Sequence, residues 1–167
     1  MHTSMIQLLE SQNIDIENRI YNHTPVKTME DVYKVLSTDA SNMIKSLVIC
    51  IKYNSNILCN SDMKKYILIA IPSNKKIDFK KLSDVLQVPR RLLEMANKDE
   101  IQDVTWFEVG SIPPFWLPKN IPIIFDESLK NKTEIWCWAW ISTQSIRLYF
   151  YELIKLSSPK FSDISKN

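Results

Sequence analysis

One glycine, Gly110, serves all 167 residues of this chain. Proteins on average spend about 7% of their residues on glycine, which takes positive φ or admits close backbone approach without steric cost. Every other turn here has to be built from Asn, Asp, Ser, Lys and Pro. That constraint removes whole classes of site at once: a glycine-rich phosphate-binding loop cannot be made from a single glycine. The surviving glycine lies in Val109-Gly110-Ser111-Ile112-Pro113-Pro114-Phe115. It has two readings: a tight turn between two strands, or a loop whose bare backbone meets a ligand.

Length argues for a single domain over 1–167. A hydrophobic share of 45% beside 24% charged residues excludes a disordered chain. The net charge of +2 excludes a polyanion binder that works through a strong uniform field. It leaves room for a local basic patch at Lys64-Lys65, Lys75-Lys76, Lys80-Lys81 or Arg90-Arg91, with solvated surface as the alternative. No apolar run reaches the roughly 20 residues that span a membrane. The opening Met1-His2-Thr3-Ser4 lacks the basic-then-apolar order of a secretory signal. Cys50, Cys59 and Cys137 have no metal-like spacing. Cys50 and Cys137 sit in apolar runs, as buried thiols of a reducing compartment do, so the cytoplasm is the expected location. No metal or cofactor is expected.

Periodicity predicts helices over Ser4–Gln12, Thr28–Leu36, Asp78–Leu86, Arg90–Asn97, Asp99–Val104 and Glu152–Leu156, with helical turns at Phe161–Ile164. It predicts strands over Ile14–Tyr21, Met43–Tyr53, Tyr66–Pro72, Thr105–Val109 and Ile121–Phe125, and a hairpin of Thr133–Ile141 with Ser145–Tyr151. Asn54–Lys64 reads as a polar loop or hairpin. Met43–Tyr53 is apolar on both faces, the mark of a central strand. Irregular alternation of helix and strand argues for an α+β domain, a mixed sheet or barrel with helices outside.

Side-chain catalysis has little to work with. His2 and His23 are the only histidines, so a nucleophilic triad is nearly excluded. Strand alternation places Lys45 on one face with Met43, Leu47, Ile49 and Ile51. A lysine on an apolar face either snorkels from a frayed strand end or meets an anion at the mouth of a pocket. Trp136, Trp138 and Trp140 alternate along one strand, as packing indoles or as a stacking platform for a nucleobase.

Several short motifs recur in order along the chain. They are Tyr21-Asn22-His23 after the opening helix, Ile44-Lys45-Ser46-Leu47-Val48, Ile77-Asp78-Phe79-Lys80-Lys81-Leu82, and Gly-x-x-x-Pro at Gly110–Pro114. Ile121-Pro122-Ile123-Ile124-Phe125-Asp126 and a closing segment from Glu152 to Ile164 follow. In this the chain resembles the YbaK/prolyl-tRNA-synthetase-associated domain family of aminoacyl-tRNA deacylases, which edit mischarged tRNA. The resemblance implies a mixed, β-barrel-like sheet flanked by helices. It implies that Lys45 helps to hold the terminal adenosine and its phosphate. The loop Gly110-Ser111-Ile112-Pro113-Pro114 presents its backbone to the aminoacyl group. Tyr21 and Ser46 match pocket-lining positions, Ser46 standing where threonine is common. The implied partner is the 3′ end of an aminoacyl-tRNA, and an aminoacyl-tRNA synthetase is a further candidate. Attack comes from a water positioned with help from substrate hydroxyls, or from the thiol of an esterified cysteine.

One stretch departs from the family pattern. Where relatives often carry Ser-Gly-Gly or Ala-Gly, this chain has Trp138-Ala139-Trp140. An acidic pocket residue of the cysteinyl-tRNA branch falls near Ser145. Two readings follow: a deacylase acting in trans on Cys-tRNA or Ala-tRNA of the prolyl system, or a tRNA- or synthetase-binding module that has lost hydrolysis. An open cleft between Lys45 and Gly110 favours the first; indoles filling it favour the second.

Overall fold

The two long apolar runs pair with each other over their full length. In the computed structural model, which describes residues 2–15, 18–24, 34–53, 63–118 and 121–167, β2 (Ile44–Tyr53) runs antiparallel to β3 (Met63–Pro72), from Ile44 opposite Pro72 to Tyr53 opposite Met63. Period-two alternation divides their side chains between two cores. Ile44, Val48, Cys50, Leu68 and Ala70 enter the larger one; Ile49, Ile51, Ile67, Ile69 and Ile71 enter the smaller.

Around this pair stand β1 (Ile20–Asn22), β4 (Lys76–Ile77), β5 (Leu93–Met95), β6 (Ile123–Asp126), β7 (Glu134–Ala139), β8 (Ile141–Tyr149), β9 (Lys160–Ser162) and β10 (Ser165–Lys166). The helices are α1 (His2–Ser11), α2 (Phe79–Leu86), α3 (Lys98–Thr105) and α4 (Phe150–Ser157). One sheet has the order β5-β2-β3-β6-β9 and is mixed, β6 lying parallel to both β3 and β9. A second, antiparallel sheet has the order β1-β8-β7, and β4 pairs with β10. The α+β class and the mixed sheet with outer helices are therefore present. The barrel is not: the described strands form separate sheets. A single parallel bridge, Met43 to Trp136, links the β2 side to β7. The sheets instead share the larger core. Ile135, Cys137, Ile146 and Leu148 from the second sheet meet Ile44, Val48 and Leu68 from the first, with Met5 and Leu9 of α1, Ile101 of α3 and Leu153 of α4. Cys50 and Cys137 are both buried, and burial pushes the Cys137 thiol up.

Local signals set several boundaries. Asp78 caps α2, its Oδ1 accepting from Lys80 N at 2.9 Å and Lys81 N at 3.2 Å. Asn97 and Glu100 close a reciprocal capping box on α3. Elsewhere tertiary pairing overrides pattern. The segment after Pro89 makes one 3₁₀ turn, Arg90–Leu92, and then β5, because Leu93–Met95 completes the edge of β2. The end of the chain forms β9 and β10 instead of helical turns, since β6 and β4 offer unpaired edges. The expected strand Thr105–Val109 is replaced by the end of α3, which Trp106 terminates at φ 66°. Of the described residues in Ile14–Tyr21, Ile20 and Tyr21 are strand; Asn18, at φ 63°, turns the chain before them. Residues 34–36 are helical, while 28–33 of that expected helix, the polar loop at 54–62 and Cys59 lie outside the described residues.

Asp126 ends β6 as a buried carboxylate, 2% exposed. Burial opposes its ionisation, yet hydrogen bonds from the Ser128 hydroxyl and backbone and from the Ile164 backbone outweigh it and hold the carboxyl below its ordinary range. The Ile164 N–H donates at 3.1 Å, tying the closing segment to β6. A carboxylate depressed in the folded state contributes stability above its unfolded pKa and loses it as pH falls through the folded one. Asp126→Ala should cost about 1–3 kcal/mol at neutral pH. In urea unfolding the gap between wild type and variant should close below about pH 4; a gap that stays constant down to pH 2 would refute this role.

Candidate active site

A cleft of about 240 Å³ opens between the first half of β2 and the loop after α3. Its walls include Lys45, Ser46, Leu47 and Val48 from β2, Met95 from β5 and Ile101 from α3. Val109, Gly110 and Ile112 from the loop and Trp138 from β7 complete it. The lining is mostly apolar, with one cation.

Lys45 sits at the margin of the smaller core, whose other β2 members are Leu47, Ile49 and Ile51. Its ammonium donates to the carbonyls of Ser73, at 3.1 Å, and Lys75. These contacts tie the turn after β3 back onto β2. An ammonium has three donors, so one remains for a ligand. Burial, aided by nearby Lys76, lowers the Lys45 pKa below its ordinary value. The neighbouring Ser46 Oγ is buried without a hydrogen-bond partner among the described residues. Such a group costs free energy while it stays unpaired.

Gly110 has φ +85° and nothing within 4 Å of where a Cβ would stand. Ser111 N donates to Glu108 O at 3.1 Å, which makes Gly110 the third residue of a tight turn, a place that demands positive φ. The turn joins α3 to the proline loop instead of joining two strands. The same residue also lines the cleft, so both readings of Gly110 apply. Ser111, Pro113 and Pro114 are buried behind the loop face, and Ser111 Oγ donates to Glu108 O at 2.9 Å. Of that loop only Gly110 and Ile112 reach the cleft with Val109.

The three indoles do not share one environment. A bulge falls between Trp138 and Ala139, and Trp140 takes φ 58°. Ala139 keeps the core face of Ile135 and Cys137, and the break in alternation sends Trp140 into the larger core beside it. Trp138 stays on the outer face and forms one wall of the cleft, which remains open. Trp136 packs with Leu36 and Met43. Ser145 is fully buried opposite both Trp138 and Tyr21. The His23 ring nitrogen Nδ1 lies 3.0 Å from Thr24 O; donating there leaves Nε2 to accept the Ser145 hydroxyl at 3.1 Å. With Ser145 inaccessible this pair holds His23 against Trp138, ring centroids 5.7 Å apart. Tyr21 lies outside the cleft, in a second groove on the same sheet face. The structure thus brings Lys45, Ser46, Gly110, Ile112 and Trp138 together, and places Tyr21, Ser111, Pro113, Pro114, Ala139 and Ser145 around them. Met95 carried no signal in the sequence because β5 reads there as helix; Ile101 lies on the predicted helix after Asn97 but reads there only as a packing residue.

The model of the aminoacyl-tRNA editing domain matches residues 23–156. Proline–tRNA ligase from Brachyspira hyodysenteriae is 33% identical over 110 residues, covering 65% of this chain and 17% of the ligase. The enzyme of the same name from Treponema denticola is 33% identical over 114 residues, covering 62% of this chain and 18% of that protein. The chain therefore spans under a fifth of the length of these relatives. Among solved structures, a candidate trans-editing enzyme for prolyl-tRNA synthetase superposes with a TM-score of 0.79 at 18% identity. That match covers 99% of this chain and 97% of the other, a likeness of fold.

Two substitutions separate scaffold from site. Gly110→Ala should lose about 1–2 kcal/mol from the left-handed backbone alone, whereas Gly110→Asn, which tolerates that region, should restore most of it. If the bare backbone also serves a ligand, both variants lose activity together; an active, stable Gly110→Asn would leave only the turn. Because the Lys45 pKa is lowered, anion binding in the cleft should fade with rising pH sooner than an exposed lysine would allow. Lys45→Arg, charged throughout, should remove that alkaline limb in a binding titration; a limb unchanged in the variant would assign it to another group.

Proposed function

The chain belongs to the aminoacyl-tRNA editing domain family, and on that premise we propose that it hydrolyses mischarged tRNA in trans, with Cys-tRNA or Ala-tRNA of the prolyl system as substrates. The observation that carries this reading is the open cleft, in which one cation, one unpaired hydroxyl and a bare glycine turn converge on apolar walls. Among its lining residues Lys45 is the one ionisable group. Catalysis on this reading comes from positioning and electrostatics. Lys45 holds the anionic end of the terminal adenosine, the Gly110 turn lies along the ester, and water or a substrate thiol attacks the carbonyl. When water attacks, release of the tRNA 3′-oxygen, which takes up a proton from that water, completes hydrolysis; when the cysteinyl thiol attacks, the same release leaves a cyclic thioester that water then opens. Val48, Ile101 and Ile112 suit a small, weakly polar side chain. Trp138 favours a second reading, a binding module, because it narrows the cleft from one side.

Incubation of the protein with a panel of mischarged tRNAs distinguishes the two. Deacylation of the alanyl or cysteinyl species, lost by at least tenfold in Lys45→Ala, is the expected result; tRNA binding without deacylation of any species would establish the module. Trp138→Ala should widen the cleft and bring larger aminoacyl esters into range. Unchanged selectivity in that variant would remove Trp138 from the specificity wall.

A further inference from the structure

The second sheet turns one face to the larger core, and its other face is covered in part: Trp136 is buried against Leu36 and Met43 and Ser145 is fully buried, while Tyr21, Trp138 and Arg147 keep some exposure. Ile20, Ile135, Cys137, Ile146 and Leu148 enter the larger core, so their alternates Tyr21, Trp136, Trp138 and Arg147 stand on the outer face. On this face a groove of about 310 Å³ lies beside the cleft. Tyr21 and Trp136 form its aromatic side, ring centroids 4.7 Å apart. Ser37, Thr38 and Asn42 supply hydrogen-bonding groups from the facing segment, and Arg147 stands at the rim beside Glu134, the one acidic group of the lining. Ser37 holds a left-handed φ of 48°, a strained conformation of the kind found at ligand sites. Arg147 is 41% exposed and only loosely paired with Glu134 at 4.0 Å, an interaction too weak to withhold it from an anion. Lys132 adds a second positive charge, its Nζ 3.1 Å from Asn42 Oδ1.

Groove and cleft meet the same strand, β7, at neighbouring positions of one face. Trp136 borders one and Trp138 the other, two residues apart on β7 and so roughly 6.6 Å along the strand. Aromatic rings flanked by hydroxyls, an amide and cations are the chemistry that binds a single-stranded nucleotide. We propose that this groove seats the nucleotide preceding the terminal adenosine of a tRNA 3′ strand, its base against Tyr21, which the buried Trp136 backs, and its phosphate toward Arg147. The proposal rests on the editing reading for its occupant.

The test is a binding measurement that needs no hydrolysis. A 5′-fluorescein-labelled RNA tetramer of sequence ACCA is followed by anisotropy and displaced by unlabelled ACCA or by adenosine 5′-monophosphate. ACCA should compete about tenfold more tightly than the mononucleotide, the size of one stacked base. Tyr21→Leu should abolish most of that advantage. Arg147→Gln should reduce it and lower the salt dependence of ACCA binding by about 0.7 in the log–log slope, one phosphate contact. In Arg147→Gln the mononucleotide should compete as in wild type, and the melting temperature should not move. Equal competition by ACCA and the mononucleotide overturns the proposal, as does an unchanged ACCA affinity and salt slope in Arg147→Gln. Equally tight binding of a polyglutamate peptide would mark a generic anion surface and also overturns it. Loss of deacylation in the tRNA panel with this binding intact would instead overturn the editing reading alone.

Discussion

The antiparallel contact between β2 and β3 is the constraint on which the rest depends. Its strands are apolar on both faces, so each face must be covered by something else. The second sheet with α1, α3 and α4 covers one; α2 and the closing segment cover the other. Both remaining strand neighbours of the sheet attach to this pair, β5 to β2 and β6 to β3. Truncating a residue such as Leu68 or Ile69, each fully buried, would therefore be felt in one of two cores and not merely at one contact.

The cleft follows from how this pair ends. Where β2 begins, its alternation brings a lysine to the margin of an apolar core. The ammonium satisfies itself on the carbonyls of the next turn, Ser73 and Lys75. A group that ties the scaffold together is thereby held still at the mouth of the cleft, with a donor to spare. The Gly110 turn shows the same economy, since a conformation that only the backbone requires also leaves the cleft wall bare. On the proposed reading, preorganisation of this sort does what positioning can do for catalysis where the cleft lining offers a lysine and no other ionisable side chain.

The tryptophans show where reasoning from alternation stops. Strict period two places all three indoles on one face. A bulge after Trp138 and the positive φ of Trp140 split them between solvent-facing wall and core. A bulge depends on the partner strand's twist and register, and neither is written in residues 134–141 alone. For the same reason β5 and β9 read as helix: three residues are too few for a period, and only the open edges of β2 and β6 make them strands.

What the sequence determined by itself is local or compositional. The double-sided apolar strands, the Asp78 cap, the place of Gly110 and the poverty of histidine follow from residue type and spacing. So does the family, through short motifs in order. The tertiary structure alone decided which of the marked residues meet. Lys45, Ser46, Gly110, Ile112 and Trp138 converge, while Ser145 is buried between Tyr21 and Trp138 on the outer face and Tyr21 turns to the neighbouring groove. It also decided that the sheets stay separate and do not close. The reason is physical: a side chain's face is a local property of its strand, but its neighbours are set by sheet pairing between segments distant in sequence.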